Sequence, residues 1–139
     1  MQHYLTIWKK NSFLLCGYSF GADVIPFLVT RLPADLSQKL KSAVMFSPDP
    51  LADFEIHVAD MLNLGSSNDT YNVPSELKKV EAKRVTCIFG EEEEDKGTHK
   101  QFKEAGAAIR LLPGSHHYDN NFDAITLEIL NSYKKPSLY

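Results

Sequence analysis

The 139-residue chain is short of cysteine, of excess charge and of long apolar runs, and each shortage removes a class of protein. Its two cysteines, Cys16 and Cys87, lie inside apolar strand-like runs, and their separation fits neither a zinc site nor a C-x-x-C redox motif. They read as two small buried hydrophobes. A formal net charge of −3 and a pI near 5.9, with Lys and Arg scattered rather than striped, leave no basic footprint. Nucleic acid is therefore not an expected partner. No apolar run reaches the roughly 18 residues that span a bilayer, and the N-terminus has no basic-then-apolar pattern. The expectation is a chain that neither crosses a membrane nor carries a secretory leader. No set of His, Cys, Asp or Glu has metal-ligand spacing, and no glycine loop is built to cradle phosphate, so neither metal nor cofactor is expected.

What is present is enough for a core, since 43% of residues are hydrophobic and 11% aromatic. The order of patterns argues for one α/β domain. Residues 2–11 put Tyr4, Leu5 and Trp8 on one side of an amphipathic helix, and a strand follows over Phe13 to Cys16. A buried helix is expected over about 20 to 31, kinked at Pro26, with a short helix near Pro33. Ala43 to Phe46 reads as a parallel strand covered on both faces, and Phe54 to Val58 alternates as a half-exposed strand. Residues 63–75 form an irregular excursion. Val85 to Phe89 is a third buried strand, followed by a helix over 96–105 that stops at Gly106. A fourth strand, Ala108 to Leu112, leads to a final helix at 120–133 with Phe122, Ile125, Leu127, Ile129 and Leu130 turned toward the sheet. Strands alternating with helices predict a parallel sheet with flanking helices and right-handed crossovers.

The stretch that carries chemistry is Phe13-Leu14-Leu15-Cys16-Gly17-Tyr18-Ser19-Phe20-Gly21-Ala22. It sets a G-x-S-x-G sequence between an apolar strand and an apolar helix, the context of a nucleophile elbow. Glycines at 17 and 21 remove the Cβ atoms that would crowd the turn, and the helix start brings free N–H groups beside the serine. Ser19 is also well placed to serve only as a helix N-cap, the plainer alternative.

In an open parallel sheet, reacting groups collect at the carboxyl ends of strands. Three ends here carry suitable side chains: Ser19, the run Glu91 to Asp95, and the pair His116 and His117. Serine, acid, histidine is the chain order of the α/β-hydrolases. A serine hydroxyl needs a histidine to take its proton, and the histidine needs a carboxylate to fix its tautomer and stabilise the imidazolium. His116 is the expected base with His117 as its rival. Asp95 is the expected acid with Glu93 as the alternative, the other carboxylates forming a solvated turn. His3, His57 and His99 read as surface or edge residues. The N–H of Phe20 would supply one oxyanion donor, and Tyr18, Phe20 and the 47–75 excursion would line the substrate pocket.

The segments Gly17-Tyr18-Ser19-Phe20-Gly21-Ala22-Asp23-Val24-Ile25-Pro26-Phe27, Ser47-Pro48, Phe54-Glu55-Ile56-His57, Cys87-Ile88-Phe89-Gly90-Glu91-Glu92 and Gly114-Ser115-His116-His117-Tyr118 together resemble the VirJ/AcvB family of bacterial virulence proteins. The resemblance spans nearly the whole chain. It implies the C-terminal portion of an α/β-hydrolase fold, forming a single domain whose N-terminal strands and secretory signal are lacking. It further implies a periplasmic serine esterase acting on a small-molecule or lipid ester such as lysyl-phosphatidylglycerol. Peripheral membrane contact for lipid access and association with type IV secretion proteins follow from it as partners. Carried over by position, the nucleophile is Ser19, the acid Asp95 and the base His116. The turn Lys96-Gly97-Thr98 departs from the apolar continuation common in hydrolases, and the second oxyanion donor has no counterpart in this sequence. A scaffold that supports virulence or secretion without turnover is the alternative function.

Overall fold

Four apolar runs become four parallel strands whose carboxyl ends share one rim. The computed structural model describes residues 1–54, 70–80 and 84–134. Strand β1 (Phe13–Tyr18) pairs with β2 (Leu40–Phe46). Two dipeptide strands, β3 (Leu51–Ala52) and β4 (Tyr71–Asn72), form a separate antiparallel pair. The main sheet continues from β2 to β5 (Val85–Gly90) and then β6 (Ala108–Leu112), in the order β1-β2-β5-β6. Backbone bonds beyond the strands tie the rim together, with Ser19 N–H donating to Phe46 O at 2.8 Å, Ser47 N–H to Ile88 O at 2.8 Å and Glu91 N–H to Leu112 O at 2.8 Å.

Period-two alternation along β2 and β5 divides the core between the two faces. Ala43, Met45, Val85, Cys87 and Phe89 point to one side. There they meet α2 (Phe20–Thr30), α4 (Val73–Leu77) and α5 (Thr98–Glu104) through Ala22, Ile25, Val73, Leu77 and Phe102. Val44, Phe46 and Ile88 point the other way, onto Tyr118 and the Ile125 and Ile129 side chains of α6 (Phe122–Lys134). Helices α1 (Gln2–Ile7) and α3 (Ala34–Ser37) and a 3-10 turn at Tyr118–Asn120 complete the described elements. None of the helices among the described residues is long and apolar enough to cross a membrane.

Several expectations are corrected. Leu5 alone is buried in α1, while Tyr4 and Trp8 are exposed. On α6 only Ile125 and Ile129 pack on the sheet; Phe122, Leu127 and Leu130 are exposed. Cys87 is buried but Cys16 is exposed. For Cys16 and α6 the reason is shared: β1 is the first strand in the sheet order and α6 packs over β2 and β5, so the face bearing Cys16 and Tyr18 opens onto a cavity of about 260 Å³. Phe54 is not in a strand, the rest of the 54–58 run and most of the 63–75 excursion lie outside the described residues, and the end of that excursion is the short helix α4.

Candidate active site

Ser19 stands between β1 and α2 with φ 52° and ψ −128°, a backbone conformation that a residue with a Cβ rarely adopts. The turn is held because Gly17 packs directly against the chain at the head of α2: a Cβ there would overlap the Gly21 carbonyl and the Ala22 nitrogen. Gly21 itself faces open space, so the close approach rests on Gly17 and not on both glycines. Ser19 occupies the N-cap position of α2, yet its side chain makes no capping bond. Its carbonyl does that work instead, accepting Ala22 N–H at 2.7 Å and Asp23 N–H at 3.2 Å. The N–H of Phe20, first in the helix, has no acceptor within it.

Asp23, buried one turn into α2, accepts the Asp49 N–H on Oδ1 at 2.8 Å and so pins the loop that leaves β2. Burial pushes its carboxyl up to about 6; the Asp49 N–H opposes that shift and the Asp49 charge adds to it.

The carboxylate beside His116 is that of Glu93, not Asp95. Glu93 Oε2 lies 3.2 Å from His116 Nδ1. Asp95 turns instead toward the start of α5, where Oδ1 accepts Gly97 N–H at 3.0 Å and His99 N–H at 3.1 Å. Its Oδ2 lies 3.1 Å from His99 Nδ1, so its partner is the local histidine one helical turn on. Two residues of spacing on a tight turn decide the matter: Glu93 N–H bonds back to Gly90 O at 3.1 Å, folding residue 93 inward under the His116 loop. Gly90 makes the crossing possible, since a Cβ at that position would overlap the Ser115 and Gly114 carbonyls.

His116 also faces the Tyr18 ring, with centroids 5.2 Å apart, and the His117 ring, at 5.6 Å. The rival base, His117, has Nδ1 engaged by the Tyr18 hydroxyl at 2.8 Å. Tyr18 therefore braces the histidine loop and, together with Cys16 and His117, lines the cavity on that face. Phe20 is exposed beside the elbow and stacks on Phe54 at 5.7 Å. His57 lies outside the described residues, His3 is exposed, and His99 packs on Phe89 with centroids 4.2 Å apart.

Sequence reasoning missed Ser47 and Tyr118. Ser47 follows β2 directly and is buried, with its hydroxyl 2.6 Å from Glu93 Oε1 and 2.5 Å from the Tyr118 hydroxyl. The strand-end rule that selected Ser19, Glu93 and His116 applies equally to the residue after Phe46.

An all-parallel sheet with helices on both faces and a strained serine turn at one strand end is the α/β-hydrolase fold. Two solved structures share it, each at 15% identity: a thioesterase domain from the curacin biosynthetic pathway (TM-score 0.61, covering 93% of this chain and 70% of that one) and the proline iminopeptidase of Mycobacterium smegmatis (TM-score 0.60, 95% and 69%). The chain belongs to the VirJ family of bacterial virulence proteins, whose family model matches residues 1–136. No curated protein matches it.

Proposed function

We propose that this chain is a serine hydrolase in which Ser19 is the nucleophile, His116 the base and Glu93 the acid. The observation that carries the reading is the Glu93–His116 pair standing at the same rim as the strained Ser19 turn. With Glu93 accepting, Nδ1 of His116 holds its proton and Nε2 is left as the acceptor. Ser19 Oγ has no hydrogen-bond partner among the described residues. In the proposed cycle, Nε2 takes the Ser19 proton as Oγ bonds the substrate carbonyl carbon, and the Phe20 N–H meets the developing oxyanion. The tetrahedral adduct collapses, the ester C–O bond breaks, and the leaving alkoxide takes the proton from His116. Water then attacks the acyl-Ser19 ester with His116 again as base, releasing the acid and restoring the hydroxyl.

The proposed substrate is an aminoacylated phospholipid, lysyl-phosphatidylglycerol, cleaved on the periplasmic side of the inner membrane. Support for the lipid and the compartment comes from the resemblance to the VirJ/AcvB family; association with secretion proteins belongs to the same reading. In this case the acyl group on Ser19 is lysyl, and phosphatidylglycerol leaves first. The test is lysine release from phosphatidylglycerol vesicles doped with the lysyl lipid. The chain is expected to release lysine and Ser19→Ala to fall to the blank; equal release by both overturns the assignment.

A further inference from the structure

We infer that Ser47 and Tyr118 are positioning residues that act through Glu93, aiming its carboxylate at His116; the inference rests on the catalytic reading of that pair. Glu93 Oε1 receives two donors, the Gly90 N–H at 2.5 Å and the Ser47 hydroxyl at 2.6 Å. The Ser47 oxygen lies 2.5 Å from the Tyr118 oxygen, and the Tyr118 oxygen 3.0 Å from Ile88 O.

Proton counting settles the direction. Three oxygen pairs share two hydroxyl protons, because the carboxylate brings none. The Ile88 carbonyl already accepts the Ser47 N–H at 2.8 Å. If Tyr118 gave its proton to Ile88 while Ser47 gave its own to Glu93, two bare oxygen lone pairs would face each other at the 2.5 Å contact. Tyr118 therefore donates to Ser47, and Ser47 to Glu93. Both hydroxyl dipoles point at the carboxylate and polarise one another.

The chain joins three strand ends, with Ser47 after β2, Glu93 after β5 and Tyr118 in the loop after β6. Ser47 and Tyr118 are 3% and 2% exposed, so water does not replace either donor. Each also sits in the left-handed backbone region, at φ 46° and 52°, and the two meet there at their shortest contact. Such conformations cost energy unless the surroundings hold them, and they collect at functional sites. With Oε1 held from two sides the carboxylate cannot rotate, and Oε2 is left facing His116 Nδ1.

The test is an NMR titration of the His116 ring in the full chain, comparing wild type with Ser47→Ala, Tyr118→Phe and Glu93→Gln. Among the described residues, the groups facing that ring are Glu93, Tyr18 and His117, and the variants alter only the first or its support. A freed carboxylate stabilises the imidazolium less, so the His116 midpoint is expected to fall, most in Glu93→Gln, by roughly 0.5 pH unit or more in Ser47→Ala, and by less in Tyr118→Phe. A midpoint unchanged or raised in Ser47→Ala and Tyr118→Phe, both folded by circular dichroism, overturns the inference. If Ser47→Ala does not fold, Tyr118→Phe decides alone, since it keeps the ring that packs on Phe46. Ester turnover is measured on the same samples: kcat is expected to fall about 10-fold or more in Ser47→Ala with KM steady, and to change little when Ser47→Ala is added to Glu93→Gln. Midpoint shifts in a wild-type chain without turnover leave the positioning standing and defeat the hydrolase reading instead.

Discussion

Glu93 Oε2 and His116 Nδ1 stand 3.2 Å apart across the ends of two neighbouring strands, while Asp95, two residues on, is turned to His99. The carboxylate that partners the candidate base is thus chosen by the turn after β5 and not by its neighbourhood in sequence.

Removing the charge at 93 and at 95 separates the two assignments. Glu93→Gln is expected to lower kcat on a chromogenic ester by about 10³–10⁴, the cost of losing a triad acid. Asp95→Asn should change kcat by less than about threefold and show itself in stability, since it weakens the start of α5 by about 1 kcal/mol. Steady-state kinetics with thermal melts of both variants check this.

The two elbow glycines should behave oppositely. Gly17→Ala drives a methyl group into the Gly21 carbonyl and is expected to cost about 1–3 kcal/mol or more in denaturant unfolding. Gly21→Ala meets open space inside a helix and should be neutral or stabilising by roughly 0.5–1 kcal/mol.

How far the sequence could be read follows from which feature each inference used. The elbow was legible because strand, glycines and helix all had to coincide around Ser19, and the four parallel strands because each is a near-continuous apolar run. The carboxylate that meets His116 was not, because Glu93 and Asp95 occupy one acidic stretch of sequence and only the backbone of the turn tells them apart. Nor were the exposures of Cys16, Phe122, Leu127 and Leu130, which depend on where β1 and α6 stand in the sheet. Periodicity reports a face; it does not say whether another element covers it.

Glu76 predicts an acid limb of stability. The carboxylate is buried and accepts Lys79 Nζ at 2.6 Å, Thr30 Oγ1 at 2.6 Å and Arg31 at 2.8 Å. These bonds, that from Lys79 foremost, hold its carboxyl at about 2, below the usual 4.5. A depressed carboxyl stabilises the fold above the unfolded value and loses that contribution as pH falls from about 4.5 to about 2. Glu76→Gln should cost about 1–3 kcal/mol at neutral pH and flatten the loss of stability across that window, measured by urea unfolding at several pH values.

Asp23 carries the opposite sign. Its carboxyl is raised from 3.8 to about 6, chiefly by burial, so the ionised form is the costly one and the penalty develops as pH rises through that interval. Asp23→Asn keeps an acceptor for the Asp49 N–H and should stabilise the fold by about 1–2 kcal/mol at neutral pH, with no gain below about pH 4.

The most direct test of the central claim is covalent. The chain is treated with a fluorophosphonate and the adduct mapped by mass spectrometry. A single adduct on Ser19, absent in Ser19→Ala and formed far more slowly in His116→Ala and Glu93→Gln, is the predicted result. A chain that stays unlabelled, or one labelled at Ser19 equally fast without His116, contradicts it.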